Sequence, residues 1–135
     1  MEKSTIEKIN DFFANNMIAK GTPSNLDEIA HAEKELGIKF DKDYVYFLLN
    51  FGGSLIKNKE IYGLQNPELM GEDSIISLTK RFREEGNEHL DWLIIGTDYA
   101  GNPIGISKEG KVLLQDYDNG ELNVLAESFE DYILK

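Results

Sequence analysis

The stretch LGIKFDKDYVYFLLNFGG, residues 36–53, combines the end of one helix, the start of another and a pair of glycines. Gly37 follows an amphipathic run and can take the left-handed conformation that ends a helix. Asp41 or Asp43 can accept backbone N–H groups at the start of the next helix. The stretch therefore predicts two helices with a short connection between them.

The second of these helices has an aromatic and apolar face. Tyr44, Phe47 and Leu48 recur at spacings of three and four residues, which places them on one buried side. Gly52 and Gly53 end the helix, because glycine admits backbone angles that are closed to other residues. The stretch contains no nucleophile, metal-ligand set or phosphate loop, so it predicts a fold and no chemistry.

Composition indicates an ordinary globular chain. It has 135 residues, of which 41% are hydrophobic and 29% charged, and we expect one domain over residues 1–135. The longest apolar runs, such as residues 92–95, are far shorter than a membrane span. The chain has no cysteine, which excludes disulfides and thiolate sites. The first residues show no apolar signal region, so we expect a cytoplasmic protein.

Negative charge is concentrated in one part of the chain. The net charge is −11; residues 1–83 account for −2 and residues 84–135 for −9. An acidic field repels nucleic acid and anionic membranes and attracts basic surfaces. We therefore expect no direct binding to nucleic acid or membrane. The alternative is that the acids only keep a small domain soluble.

Helical periodicity dominates the first half of the chain and returns at its end. The predicted helices begin at Ser4, Asn25, Asp41, Lys80 and Ser128. The first is predicted to start with a capping box at Ser4–Glu7, and its apolar stripe is Ile6, Ile9, Phe13 and Met17. The fourth is predicted to run to Leu90.

Between the helices the pattern changes to short strands separated by turns. The predicted strands are residues 54–56, 60–64, 92–96, 103–107, 111–116 and 122–126. The Asn119-Gly120 pair between two apolar runs is a strong hairpin signal. We predict an α+β fold, with N-terminal helices packed on one bent antiparallel sheet and a C-terminal helix. The predicted core contains Leu36, Tyr44, Phe47, Leu48, Trp92, Ile94, Val112 and Phe129.

A set of apolar, glycine and acidic positions recurs in a fixed order along the chain. Its members are Ile29, Glu33, Leu36-Gly37, Asp43-Tyr44, Phe47-Leu48, Gly52-Gly53, Ile61-Tyr62-Gly63, Ile95-Gly96, Asp98, Gly101-Asn102, Gly110-Lys111-Val112, Asp116, Ala126-Glu127-Ser128-Phe129 and Tyr132-Ile133. In their order and spacing these residues resemble the SUKH superfamily, which includes the fungal cell-wall assembly regulator domain and many bacterial homologues. The resemblance covers nearly the whole chain. Two positions depart from the family pattern, which often has a proline where Asp41 stands and an asparagine where Phe51 stands.

The resemblance implies a protein-binding function. Many bacterial members look like immunity proteins that neutralise toxins, often nucleases, by direct complex formation. Nucleases must be basic to hold nucleic acid, and an acidic surface would associate with them rapidly. The alternative is an intracellular regulatory module of the cell-wall assembly regulator type.

Catalytic and metal-binding chemistry has little support in the sequence. His31 and His89 have no partner at ligand spacing, and we expect no catalytic residue, metal or cofactor. Asp98, Asp116 and Asp118 could form a carboxylate cluster, or they could bond their own turn backbones, as acids in turns commonly do.

The candidate partner-binding surface lies in the acidic half of the chain. Its acids are Glu84, Glu85, Glu88, Asp91, Asp98, Asp116, Asp118 and Glu121. Tyr99 and Tyr117 are predicted to lie at loop tips and to act as contact anchors, with packing on the sheet as the alternative. We expect the apolar residues of this half to be used up by the sheet.

Overall fold

The computed structural model describes residues 1–85 and 91–135. Within these residues the helices are α1 (Lys3–Ala14), α2 (Leu26–Leu36), α3 (Lys42–Asn50), α4 (Ile75–Glu84) and α5 (Phe129–Leu134). The strands are β1 (Ser54–Ile56), β2 (Lys59–Ile61), β3 (Leu93–Thr97), β4 (Pro103–Ile106), β5 (Val112–Gln115) and β6 (Leu122–Ala126). The α+β prediction is confirmed, with helices at both ends and strands between them.

The strands of the described chain form two antiparallel sheets where one was predicted. β1 pairs with β2, and the other sheet has the order β3-β4-β5-β6. Just beyond β2, the backbone N–H of Tyr62 donates to the carbonyl of Ile95 at 2.8 Å, which ties the hairpin to β3. β2 also approaches Gly96 closely, since a Cβ there would lie 2.8 Å from the carbonyl oxygen of Glu60. The hairpin therefore packs against β3 without continuing its ladder.

The connection between α2 and α3 has the predicted capping groups. Asn25 begins α2 with a capping box, and Gly37 ends it at a φ of +69°. Of the two candidate aspartates, Asp41 is the cap of α3. Its carboxylate accepts the backbone N–H groups of Asp43 and Tyr44, each at 3.1 Å. Asp41 thus provides a helix start where the family often has proline.

The glycine pair after α3 is required for two different reasons. Gly52 has a φ of +73°, and a Cβ on it would lie 2.2 Å from the carbonyl oxygen of Thr22. Gly53 needs space, because a Cβ there would lie 1.7 Å from Oδ1 of Asn66. That oxygen accepts the N–H of Gly63 at 2.7 Å. Gly52 is therefore required for its backbone angles, as the sequence predicted, whereas Gly53 is required because there is no room for a side chain.

The predicted capping box of the first helix is wrong. α1 begins at Lys3, with Glu2 as its N-cap residue and no side-chain capping bond, so Ser4 lies inside the helix and cannot cap it. Met17 is 78% exposed. The reason is that α1 ends at Ala14, and Met17 begins a separate 3-10 turn that leaves the helical stripe.

The predicted start of the fourth helix is also wrong. α4 begins at Ile75, five residues before Lys80, and Ser74 caps it. Ser74 and Ser77 form a reciprocal capping box, in which Ser77 takes the place usually held by glutamate or glutamine. α4 ends at Glu84, and the predicted extension to Leu90 lies outside the described residues.

The main core lies between the helices and one face of the four-stranded sheet. All eight predicted core residues are buried. The rings of Tyr44 and Phe47 pack edge-on against Phe129, at centroid distances of 5.3 and 5.5 Å. Phe51, the second departure from the family pattern, fills the space between Phe13 and Phe47. These contacts bind α1, α3 and α5 into one unit.

A smaller core covers part of the opposite face of this sheet. Side chains alternate along β3, so Trp92 and Ile94 point away from the main core and pack with Leu78, Phe82 and Leu113. α4 provides this cover. It is fixed to β3 by a hydrogen bond from the backbone N–H of Ile94 to Oγ1 of Thr79, at 3.0 Å. The sheet is therefore covered on both faces around β3 and less so toward β6.

Candidate protein-binding surface

Two turns meet at one end of the four-stranded sheet. In an antiparallel order β3-β4-β5-β6, the β3–β4 and β5–β6 turns lie at the same end. Asn102, which is 7% exposed, joins them. Its Oδ1 accepts the backbone N–H of Tyr117 at 3.1 Å, and its Nδ2 donates to Oδ2 of Asp98 at 3.1 Å. Residues 98–102 and 116–121 therefore form one continuous surface.

The carboxylate of Asp98 holds its own turn together. Its Oδ1 accepts the N–H groups of Ala100 and Asn102, at 2.9 and 2.8 Å. Partial burial opposes ionisation of this group, but the hydrogen bonds from Asn102, Ala100 and Gly101 outweigh it, so the pKa of Asp98 is lowered. Asp98 is therefore ionised at neutral pH and serves the geometry of the turn.

The β5–β6 turn uses one of its acids in the same way. Oδ1 of Asp116 accepts the N–H of Asp118 at 2.9 Å. Oδ1 of Asn119 accepts the N–H of Glu121 at 2.8 Å. These are the bonds that the turn interpretation of Asp98 and Asp116 predicts. Asp118 and Glu121 are exposed, so their charges face solvent.

The two tyrosines differ in exposure. Tyr99 is fully exposed at the tip of the β3–β4 turn. Tyr117 is 47% exposed, and its ring centroid lies 6.5 Å from that of Phe82 on α4. Tyr99 thus projects into solvent, as the anchor hypothesis requires. Tyr117 combines an exposed edge with packing, so both interpretations apply to it in part.

Two exposed apolar side chains extend this surface along β6. Leu122 and Val124 are 51% and 52% exposed. The expectation that packing of the sheet buries all apolar residues of this half is therefore wrong for these two side chains. Val124 lies opposite Leu113 on β5, a residue of the smaller core, and this places it on the α4 face of the sheet. α4 packs over β3 and does not reach across to β6, because β6 lies at the opposite edge of the four-stranded sheet. The exposure of Leu122 and Val124 could have been predicted from the order of the strands along the chain, since the last strand of a meander lies at an edge.

We call residues 98–102 and 116–121, together with Leu122 and Val124, the turn surface. Residues 93–107 and 112–126, which build it, contain no lysine or arginine. The acids of the turn surface therefore have no basic residue within their own strands and turns to offset them. Exposed tyrosine and aliphatic groups lie among these acids, which is the composition of an interface centre with a charged rim.

The other predicted acids lie elsewhere. Glu84 is the last residue of α4 and Glu85 is its C-cap, next to Arg83, whose Nη1 donates to the carbonyl of Leu36 at 2.8 Å. Asp91 lies at the opposite end of the sheet from the turn surface, beside the β4–β5 turn. Glu88 falls outside the described residues. The described acids of the predicted surface are therefore divided among the turn surface, the end of α4 with Glu84 and Glu85, and the opposite end of the sheet with Asp91.

A cleft of about 490 Å³ lies near Asp91, between the α2–α3 connection and the β4–β5 turn. Its apolar lining is Ile38, Phe40, Leu93 and Ile106. Oγ of Ser107 is buried there and has no hydrogen-bond partner in the described part of the chain. Lys39 and Lys108 line the cleft as well as acids, so its charge is mixed, unlike that of the turn surface.

Residues 1–85 and 91–135 contain neither a grouped set of metal-binding side chains nor a membrane-spanning helix. No group of three histidine, aspartate or glutamate side chains in this part of the chain is placed to hold a metal ion. None of the helices described there is long and apolar enough to cross a membrane.

Residues 23–135 match the family model described as the SMI1 / KNR4 family (SUKH-1), and this confirms the resemblance to the SUKH superfamily. A search of curated proteins finds no sequence that matches the chain. The matched range runs from the segment before α2 through α5, so it includes the sheets, the cleft and the turn surface. Domains of this type serve in protein interaction and are generally non-enzymatic. Because the match covers well over half of its length, the chain belongs to the SMI1 / KNR4 family (SUKH-1).

Proposed function

We propose that this protein is an immunity protein, which neutralises a cognate bacterial toxin of the nuclease type by binding it directly. The turn surface would cover the basic cleft in which the toxin holds nucleic acid. The observation that carries the proposal is the combination, on that surface, of exposed acids with exposed tyrosine and aliphatic side chains. The proposal places the complex in the cytoplasm and involves no catalysis, cofactor or direct contact with nucleic acid.

Each part of the turn surface has a distinct role in this proposal. Tyr99, Leu122 and Val124 supply apolar contact area, which gives most of the affinity at the centre of an interface. Asp118 and Glu121 supply exposed charge at its rim, which acts mainly on the rate of association. An acidic rim also disfavours partners of the same sign.

The size of the charge effect can be estimated. Two unit charges about 7 Å apart in water interact by roughly 0.6 kcal/mol. Removal of two acids that each face one basic group should therefore lower the association rate by roughly 3–10-fold at low salt. It should also flatten the dependence of that rate on salt, because fewer charges are left to screen.

The proposal predicts a toxin domain encoded by a neighbouring gene, and this domain is the binding partner for the test. We would measure its association rate at several salt concentrations with the unmodified protein and with a variant carrying Asp118→Asn and Glu121→Gln. A matched control carries Glu68→Gln and Glu109→Gln, which removes the same charge from exposed positions outside the turn surface. We expect a reduced rate and a flatter salt slope for the first variant and a much smaller change for the control.

Several results would contradict the proposal. A neighbouring toxin domain that does not bind, or whose nuclease activity persists in the complex, would refute neutralisation. Equal effects of the two variants would refute the turn surface as the interface. Recovery of a regulatory protein by co-purification from the native host, without any toxin, would favour the regulatory module.

A further inference from the structure

We propose that the free edge of β6 binds an extended, basic segment of the partner as an additional antiparallel strand. This inference rests on the proposed function and specifies how the partner is held. The occupant is a strand of the basic partner protein, and a second copy of this chain is the alternative that the charges disfavour.

The register of β5 and β6 shows which backbone groups face outward. The N–H of Asp116 donates to the carbonyl of Glu121 at 2.9 Å, so these two residues form a hydrogen-bonded pair. Hydrogen-bonded and non-hydrogen-bonded pairs alternate along an antiparallel ladder. Leu122, opposite Gln115, and Val124, opposite Leu113, therefore occupy non-hydrogen-bonded pairs. Their N–H and C=O groups point away from β5, toward the free edge.

The free edge of β6 is open only as far as Val124, because the next residue is covered. The carbonyl of Leu125 accepts a hydrogen bond from Nζ of Lys135, which covers the edge at that point. A register shift between Val112 and Leu113 also interrupts the β5–β6 ladder opposite the end of β6. Among the described strands, Leu122 to Val124 pairs only with β5, and the segment contains neither the lysine nor the proline that commonly protects edge strands.

The side chains of this segment suit strand addition. Leu122 and Val124 lie on the same face and are half exposed, so a strand beside them would bury its own alternate side chains against them. Main-chain hydrogen bonds provide affinity in this binding mode, and the alternate side chains provide specificity.

Charge decides between the two possible occupants. Pairing of two copies of β6 over the open segment, centred on Asn123, would place Glu121 of each copy opposite Leu125 of the other and bring together two chains of net charge −11. Repulsion between two chains of the same large charge opposes this pairing. A strand with lysine or arginine opposite Glu121 is attracted by the exposed acids of the turn surface, so the edge favours a basic partner strand.

Amide hydrogen exchange followed by NMR tests the geometry and the binding together. In the free protein we expect the N–H groups of Leu122 and Val124 to exchange faster than that of Asn123, which faces β5. The probes are the neighbouring toxin domain and the peptide acetyl-Lys-Val-Arg-Val-Lys-Val-amide. Each should slow exchange at Leu122 and Val124 by at least roughly 10-fold at saturation. A peptide with glutamate in place of every basic residue should have no such effect.

A pair of variants at one position separates backbone from side-chain binding. Val124→Pro removes the outward N–H and keeps the hydrogen bonds to β5, whereas Val124→Ala keeps the N–H and shortens the side chain. We expect proline to weaken binding of the toxin domain roughly 10–100-fold and alanine less than roughly 5-fold. Thermal unfolding of both variants establishes that they are folded.

The outcomes distinguish this inference from the proposed function. Unchanged exchange at Leu122 and Val124 with both probes overturns strand addition. Equal weakening by proline and alanine in folded variants also overturns it, and the proposed function stands in either case if the toxin domain is neutralised. If the toxin domain does not bind, the proposed function fails and the peptide alone decides whether the edge accepts a strand.

Discussion

Replacement of Phe47 by alanine is the sharpest test of the core. Phe47 is 0% exposed, and its ring packs against Phe51 and Phe129 at 5.4 and 5.5 Å. The change removes about 100 Å³ of side chain, and a cavity costs about 24 cal/mol per Å³, or about 2.4 kcal/mol if the site does not collapse. The lost transfer free energy adds about 2 kcal/mol. We therefore expect a loss of about 3–5 kcal/mol.

Urea unfolding measures this loss, and the slope m of the unfolding free energy should stay unchanged. An unfolding entropy of about 2.1 cal/mol/K per residue over 135 residues gives about 0.28 kcal/mol/K, so Tm should fall by about 11–18 °C. Phe47→Leu is the matched control. It keeps most of the volume and should cost no more than about 1.5 kcal/mol. A loss below about 1 kcal/mol for Phe47→Ala would refute the placement of this ring in the core.

Two further predictions concern turns. Gly37→Ala should cost only about 1 kcal/mol, because a Cβ at its φ of +69° meets no atom within 4 Å. Gly52→Ala has a similar φ of +73° but would place a Cβ 2.2 Å from a backbone carbonyl, so it should cost several-fold more in urea unfolding; equal losses would contradict the close approach. Asp98→Ala should cost about 1 kcal/mol at pH 7, a modest value because the carboxylate stays largely solvated. Since the pKa of Asp98 is lowered in the folded state, this contribution is complete above the unfolded value of 3.8 and is lost as pH falls through the folded value. The difference in unfolding free energy between unmodified protein and variant should therefore be the same at pH 7 and pH 5 and shrink below about pH 4; a difference that grows on acidification would contradict the assigned bonds.

Structural features that depend on residues close together in the sequence could be predicted from the sequence alone. The cap at Asp41 and the left-handed end at Gly37 depend on residues within a few positions of each other, and so do the helical face and the turn at Gly120. The apolar runs of β3 and β5 predicted the burial of Ile94 and Val112 for the same reason. Local geometry and periodicity are sufficient evidence at these positions.

Features set by distant contacts could not be predicted in this way. The division into two sheets depends on how closely β2 approaches Gly96, a contact between residues more than thirty positions apart. Met17 fits the helical stripe by spacing, but α1 ends before reaching it. The Ser74 cap was missed because its partner is Ser77 and not the usual glutamate or glutamine. In each case the sequence pattern allowed more than one structure.

The candidate surface was predicted in part. The charge distribution indicated Asp118 and Glu121, and the expected position at a loop tip indicated Tyr99; all three are exposed at one end of the sheet. The same charge count also included Asp91, which lies at the other end. Leu122 and Val124 were missed because an alternating strand looks alike at an edge and at a centre, and only the strand order reveals the difference.

The open edge of β6 and the acidity of the chain are connected by a physical requirement. An uncovered apolar edge strand is a template for pairing with identical copies, so a protein that keeps one needs some means of avoiding self-association. Here Glu121 and Glu127 flank the edge, although the carboxylate of Glu127 lies 3.9 Å from Nζ of Lys111. The net charge of −11 therefore supplies most of the repulsion between copies. The same charges favour a basic strand. Neutralisation of these flanking acids should therefore weaken partner binding and also lower the barrier to pairing between copies, so charge at this edge has two roles that a count of acids alone would not separate.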